Sequence, residues 1–236
     1  MSPVRCITFD LDDTLWDCEP VILRAEQRFH DWVSENFPRI AERYAPKAMV
    51  KHRRKFFSRF PDMGHDYTWL RKRWLEHLAE EAGYDHEALV EPGFHVFWRA
   101  RNEVELYDDA HHVLGALRER FLVGCITNGN ADVHHIGIGH WFDFVVTAAE
   151  AGAQKPEARI FEVALEAAGV RACEALHVGD DAARDVLGAG AVGMRTVWFN
   201  PAQTPWPGGR QPDHVVRNLR QLGELLSSLE SHDLRG

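Results

Sequence analysis

From residue 107 onward, short apolar runs alternate with helical stretches, and this alternation restricts the fold more than any other feature. "FLVGCITNG", "DFVVTAAE", "ALHVGDD" and "RTVWFN" have the length and β-branched content of buried strands. Helical periodicity fills the gaps between them, at Ala110 to Arg120, Pro156 to Gly169 and Ala182 to Gly190. The Pro/Gly-rich "PAQTPWPGGRQP" reads as a loop before a short strand, "DHVV", and a last helix. Strands separated by helices pair in parallel. One further strand, "VRCITFDL", stands apart at the start of the chain. The grammar between is different. Val21, Leu23, Phe29, Trp32, Val33 and Phe37 recur at helical spacing until Pro38, and Trp69, Leu70, Trp74, Leu75 and Leu78 repeat the pattern until Gly83. More helix is expected near Lys47 to Phe60 and His86 to Asn102, with breaks at Pro38, Pro46, Pro61 and Pro92. The predicted organisation is an α/β core, residues 1–16 and 106–236, interrupted after its first strand by an all-helical insert, residues 17–105.

In open parallel sheets, ligands bind beyond the carboxyl ends of the strands. Here the first strand ends in Asp10, Asp12, Asp13 and Thr14, and the second in Thr127, Asn128, Gly129 and Asn130. The third is followed by Lys155–Pro156, and the fourth ends in Gly179, Asp180 and Asp181, with Asp185 one turn on. Placed at successive strand ends, these groups face one mouth. Strand alternation puts Asp10 and Asp12 on the same side. Two carboxylates that close stay ionised when a cation lies beside them. With Asp180 they offer hard oxygen ligands suited to Mg2+. Lys155 brings a point positive charge, Thr127 a hydroxyl, and the amides around Asn128 and Gly129 can meet an anion. Such a set suits a phosphoryl group, whose transfer depends on positioning and on neutralised oxygens.

"DLDDTL", "TNG", "KP" and "GDDAARD" resemble, in order, the four motifs of the haloacid dehalogenase-like hydrolases. The longer stretches "FDLDDTLWDCEPVILRAE", "WFDFVVTAAEAGAQKP" and "LHVGDDAARDVLGAGAVGM" resemble the bacterial phosphatases acting on flavin mononucleotide and on 5-amino-6-(5-phospho-D-ribitylamino)uracil. The resemblance implies a Rossmann-like parallel-sheet core with the insert as a helical cap that selects the substrate. It implies that Asp10 is the nucleophile, forming an aspartyl phosphate, and that Asp12 is the acid and then the base. Thr127 and Lys155, with Asn128 and Gly129, would hold the phosphoryl oxygens. Mg2+ would bind Asp10, the main-chain carbonyl of Asp12, and Asp180. Asp185 would act through water on the metal or by orienting Lys155. The family's dehalogenases lack the second acid of the first motif, so Asp12 favours a phosphatase. The rivals are a phosphomutase, a sugar-phosphate or nucleotide phosphatase, a 2-haloacid dehalogenase, and a binding protein without activity.

The net charge of −9 speaks against nucleic acid as a partner. The acidic surplus lies outside the insert. No apolar run approaches the roughly 20 residues of a membrane span, and no secretory leader is expected. Four cysteines without CxxC spacing fit a reducing cytoplasm. The expected partner is a small phosphorylated metabolite, with neither membrane nor nucleic acid, for a monomer or homodimer. Trp32, Trp69, Trp74 and Trp98 are expected in the core of the insert rather than on substrate. The basic run "KHRRKFFSR" reads as a solvated helix face, and Asp13 as a helper of its turn.

Overall fold

The computed structural model describes residues 3–233, with side chains through residue 227. Six strands form one sheet: β1 (Cys6–Phe9), β2 (Leu122–Thr127), β3 (Phe144–Thr147), β4 (Ala175–Gly179), β5 (Arg195–Phe199) and β6 (His214–Val216). Their order is β3-β2-β1-β4-β5-β6, and every neighbouring pair is parallel. All four residues of β1 and all five of β4 are buried. Helices on the faces of a parallel sheet make this necessary, and it accounts for strands that read as continuous apolar runs. The chain builds outward from β1 to β3, then returns to lay β4 on the other side of β1. Strand order reverses there, which makes the carboxyl ends of β1 and β4 the place for a ligand.

The chain divides into two compact units. One comprises the residues through Asp17, Glu105–Gly129, and the chain from Gly137; the other comprises Cys18–Val104 and Asn130–Ile136. The helical unit thus takes in residues 130–136, which the sequence pattern assigns to the core. In the α/β unit, exit and re-entry lie side by side. Trp16 bridges to Leu106, and the Tyr107 amide donates to the Leu15 carbonyl at 2.8 Å.

The helical unit holds α1 (Cys18–Asn36), α2 (Pro38–Arg43), α3 (Pro46–Phe57), α4 (Tyr67–Ala82) and α5 (His86–Arg101). Pro38 and Pro46 open their helices, where a missing N–H costs nothing. Pro92 does not break the chain as expected but lies inside α5. Packing on either side of it holds the helix together. A Cβ at Gly93 would stand 3.0 Å from the Trp32 ring and 3.2 Å from Phe29, so α1 and α5 approach closely there. Phe29, Val33, Trp74, Leu75, Leu78 and Phe97 form the apolar centre of the unit. Trp74 is fully buried, as expected, whereas Trp69 is 36% exposed. Arg53, from the basic run, is not simply solvated: it and Arg71 both pair with Glu26, at 2.9 and 2.6 Å.

The remaining helices are α6 (Ala110–Arg118), α7 (Val133–Ile136, in the helical unit), α8 (Ala148–Ala151), α9 (Ala158–Ala168), α10 (Gly188–Ala191) and α11 (Leu219–Asp233). Ile160, Phe161 and Ala164 of α9 pack with Ile126 and Val146 of the sheet. The helix expected from Ala182 is a wide π turn over Ala182–Leu187 before α10. Such turns gather at functional sites, and Asp185 sits within this one.

Candidate active site

The site lies at the carboxyl ends of β1, β2 and β4. The Asp10 amide donates to the Val178 carbonyl at 2.9 Å, which carries the β1–β4 pairing one residue past the strand. Asp13 then takes a left-handed conformation, φ 60°, which aspartate tolerates better than most residues. This reversal brings the Asp13 amide to the Trp16 carbonyl at 2.8 Å. Trp16 is fully buried, and its indole donates to Asp12 Oδ1 at 2.9 Å. Asp13 therefore serves the turn, and Trp16 orients Asp12.

At the end of β2, the Gly129 amide donates to Thr127 Oγ1 at 3.0 Å, so the loop closes on itself. The Asn128 side chain clamps the main chain of Lys155. Its Oδ1 accepts from the Lys155 amide at 2.7 Å and its Nδ2 donates to the Lys155 carbonyl at 3.0 Å. The Asn128 side chain is thus engaged with the main chain of the lysine.

Lys155 is 2% exposed, and all three of its ammonium protons have acceptors. They go to Asp10 Oδ1 at 2.6 Å, Asp185 Oδ1 at 2.7 Å and the Ile126 carbonyl at 2.9 Å. Burial opposes its charge, yet Asp10 and Asp185 hold its pKa above the ordinary lysine value. Burial likewise opposes the charge on Asp185, but Lys155 and His177 outweigh it and keep that carboxyl well below the usual range.

The end of β4 sorts three neighbouring acids into different tasks. Asp181 caps the π turn, accepting from the Ala183 and Arg184 amides at 2.9 Å each. Asp185 accepts from Lys155 and His177 on Oδ1 and from the Asp181 amide on Oδ2 at 3.0 Å. Asp180 is left partly exposed. Its carbonyl accepts from the Trp198 indole at 2.7 Å, and Thr14 Oγ1 approaches its Oδ1 at 3.4 Å.

Ligand atoms of Asp10, Asp180 and Asp185 lie within 4.8 Å of one another. Asp10 and Asp180 fit a hard divalent cation. Burial pushes the pKa of Asp10 up to about 8, Lys155 only partly offsetting it, and that of Asp180 to about 7. Two acids held back from ionising mark a place short of positive charge, and a cation corrects that. Asp185 fits less well, because both its oxygens already have donors. The side chain of Asp12 is outside this group.

The structure thus brings Asp10, Lys155, Asp180 and Asp185 into direct contact or close range, with Asn128 behind the lysine. Three contributors escape a motif reading: Trp16, His177 and Trp198. His177 left one trace in the sequence, a titratable residue inside an otherwise apolar strand run.

A reversing parallel sheet with carboxylates and a lysine at its switch point suits an anionic ligand. The model of the haloacid dehalogenase-like hydrolases matches residues 4–193, and the chain belongs to that family. It is 34% identical over 234 residues to the 5-amino-6-(5-phospho-D-ribitylamino)uracil phosphatase YigB of Escherichia coli, covering 96% of this chain and 98% of that one. The ribulose-1,5-bisphosphate 5-phosphatase of Halopiger xanaduensis is 31% identical over 251 residues, covering 94% and 98%. Among solved structures, one named as a 2-haloacid dehalogenase, from Pseudomonas syringae, superposes with a TM-score of 0.89 at 38% identity, over 95% of this chain and 99% of that one. Family and relatives make this chain a phosphatase. No helix among the described residues is long and apolar enough to cross a membrane.

Proposed function

We propose that the chain is a Mg2+-dependent phosphomonoester hydrolase that works through an aspartyl phosphate on Asp10. The observation that carries this is the buried Lys155 bound to Asp10, with Asp180 alongside. The substrate is a small phosphorylated metabolite in the cytoplasm. The ribitylamino-uracil phosphate is favoured by the 34% identity along nearly the whole length of YigB, with flavin mononucleotide next.

Asp10 attacks phosphorus through a carboxylate oxygen, and the P–O bond to the alcohol breaks. Asp12, its carboxyl held by Trp16, gives its proton to the departing oxygen. Lys155 follows the negative charge from the carboxylate of Asp10 to the phosphoryl oxygens, and Thr127 donates to them. Asp12, now a carboxylate, takes a proton from water. The hydroxide attacks phosphorus and releases phosphate, which returns Asp10 to its starting form. Asp10 and Asp180, with the Asp12 carbonyl, would hold Mg2+, which would supply charge neutralisation at the phosphoryl oxygens.

The test is initial rates on a panel of phosphorylated metabolites, including both flavin-pathway phosphates, with Mg2+ and with chelator. Phosphate release that needs Mg2+ and vanishes in Asp10→Asn is expected. Near-normal turnover by that variant would remove Asp10 from the mechanism. A dehalogenase reading draws on the name of the 38% identical structure; Asp12 speaks against it. Halide release from a 2-haloacid without Mg2+, and no phosphate release, would decide for it.

A further inference from the structure

Resting on the reading above, we infer that His177 is a positioning residue for Lys155, acting through Asp185. It holds the Asp185 carboxylate on the lysine and away from the cation.

The arrangement follows from strand register. Thr8 of β1 and His177 of β4 are parallel partners, and Thr8 Oγ1 lies 2.9 Å from His177 Nδ1. Residues two along from these, Asp10 and Gly179, share their face of the sheet. Gly179 has no side chain there, and the Asp185 carboxylate fills the space. A Cβ on Gly179 would stand 2.2 Å from Asp185 Cγ. His177 Nε2 reaches Asp185 Oδ1 at 3.1 Å, the same oxygen that Lys155 holds at 2.7 Å. The relay therefore runs Thr8, His177, Asp185, Lys155, Asp10, each link a hydrogen bond or ion pair.

Proton placement in the relay is fixed by its ends. A carboxylate oxygen can only accept, so Nε2 of His177 carries a proton. In the neutral ring Nδ1 is then an acceptor, and the Thr8 hydroxyl donates to it. His177 is 1% exposed and touches no substrate. The ring of Phe161 stands edge-on to it at 5.5 Å, so an apolar residue would suit the packing. A buried imidazole is costly unless its polar atoms are used.

What the relay decides is the allegiance of Asp185. Its ligand atom lies within 4.8 Å of those of Asp10 and Asp180, close enough to compete for a shared cation. The His177 ring on Oδ1 and the Asp181 amide on Oδ2 occupy both its oxygens and oppose that use. With Asp185 fixed, Lys155 keeps one of its three acceptors and its aim at Asp10.

The experiment is kinetics at saturating Mg2+ on His177→Phe, His177→Gln, Asp185→Asn and the double variant His177→Phe/Asp185→Asn, each with its melting temperature. Gln keeps an N–H at the reach of Nε2; Phe keeps the bulk without it. We expect His177→Phe to lower kcat about 10- to 100-fold and His177→Gln to stay within about three-fold of wild type. The double variant should be no slower than Asp185→Asn alone, since the two residues act in series. A normal rate in His177→Phe overturns the inference. So does equal loss in Phe and Gln, or losses that multiply in the double variant. Should His177→Phe fail to fold, Thr8→Val decides. A fall of about three-fold or more in kcat at an unchanged melting temperature supports the relay, and an unchanged rate overturns it. Wild-type protein that releases no phosphate from any substrate would instead defeat the phosphatase reading and leave the relay aside.

Discussion

Gly179→Ala tests the site by steric means alone, without removing a charged group. The added methyl would lie 2.2 Å from Asp185 Cγ, 2.4 Å from its Oδ2 and 2.5 Å from its Cβ. Carbon atoms rest at about 3.5 Å or more, so the Asp185 side chain must retreat by more than ~1 Å. It cannot retreat and keep its bonds, which measure 2.7 Å to Lys155, 3.1 Å to His177 and 3.0 Å to the Asp181 amide. Overfilling a packed site costs about 1–3 kcal/mol. For a chain of this size, ~2 kcal/mol lowers the melting temperature by about 4–8 °C. Activity should suffer more than stability, because ~1 Å of misplacement at a reacting centre costs about 100-fold. The assay is phosphate release at saturating Mg2+, with thermal denaturation on the same sample and working temperature well below the melting point. A Gly179→Ala variant with wild-type kcat and melting temperature would show that Asp185 is not held where the structure puts it, and the account of Lys155 would fall with it.

Asp12→Asn should still transfer phosphate from an ester with a good leaving group while losing about 100-fold or more on an alkyl phosphate; equal losses on both would deny Asp12 its acid role. Trp198→Phe removes the 2.7 Å bond to the Asp180 carbonyl and should raise the Mg2+ concentration for half-maximal rate about 10-fold, read from a Mg2+ titration of the rate; an unchanged titration would count against Asp180 as a ligand. Lys155→Met leaves Asp10 and Asp185 buried without their cation, so it should cost about 3–5 kcal/mol of stability and all measurable turnover, checked by denaturant unfolding and phosphate release. Metal-free protein should grow less stable as pH rises from about 5 to about 8. Asp10 and Asp180 have folded pKa values raised to about 8 and about 7, so their protonated forms suit the fold and that advantage is lost as pH passes through those values. Melting curves in chelator should show this slope and Mg2+ should flatten it; a slope indifferent to Mg2+ would refute the assignment.

The fold was legible in the sequence where local pattern settles the outcome. Apolar runs of strand length alternating with helices leave a parallel sheet as the answer, and a helical period over many residues marks the insert. Pro92 misled because propensity is a local quantity, while the packing of Gly93 against Trp32 and Phe29 is not. The π turn at Ala182–Leu187 was also hidden, since Asp185 within it is held by His177 of β4 and by Lys155, both partners that only the tertiary fold supplies.

At the site, the sequence by itself determined which chemical groups stand at the strand ends, because parallel strands all present their carboxyl ends to one edge. Asp10, Thr127, Lys155 and Asp180 follow from that rule and from the order of the segments. Only the tertiary structure decided what each group holds. Asp181 caps a turn, Asp185 serves the lysine, Asn128 clamps the lysine's backbone, and His177 stands beneath them from an apolar strand. Periodicity says which face a side chain takes, but a partner distant in sequence is chosen by strand register and by the space that Gly179 leaves, and neither exists until the sheet has formed.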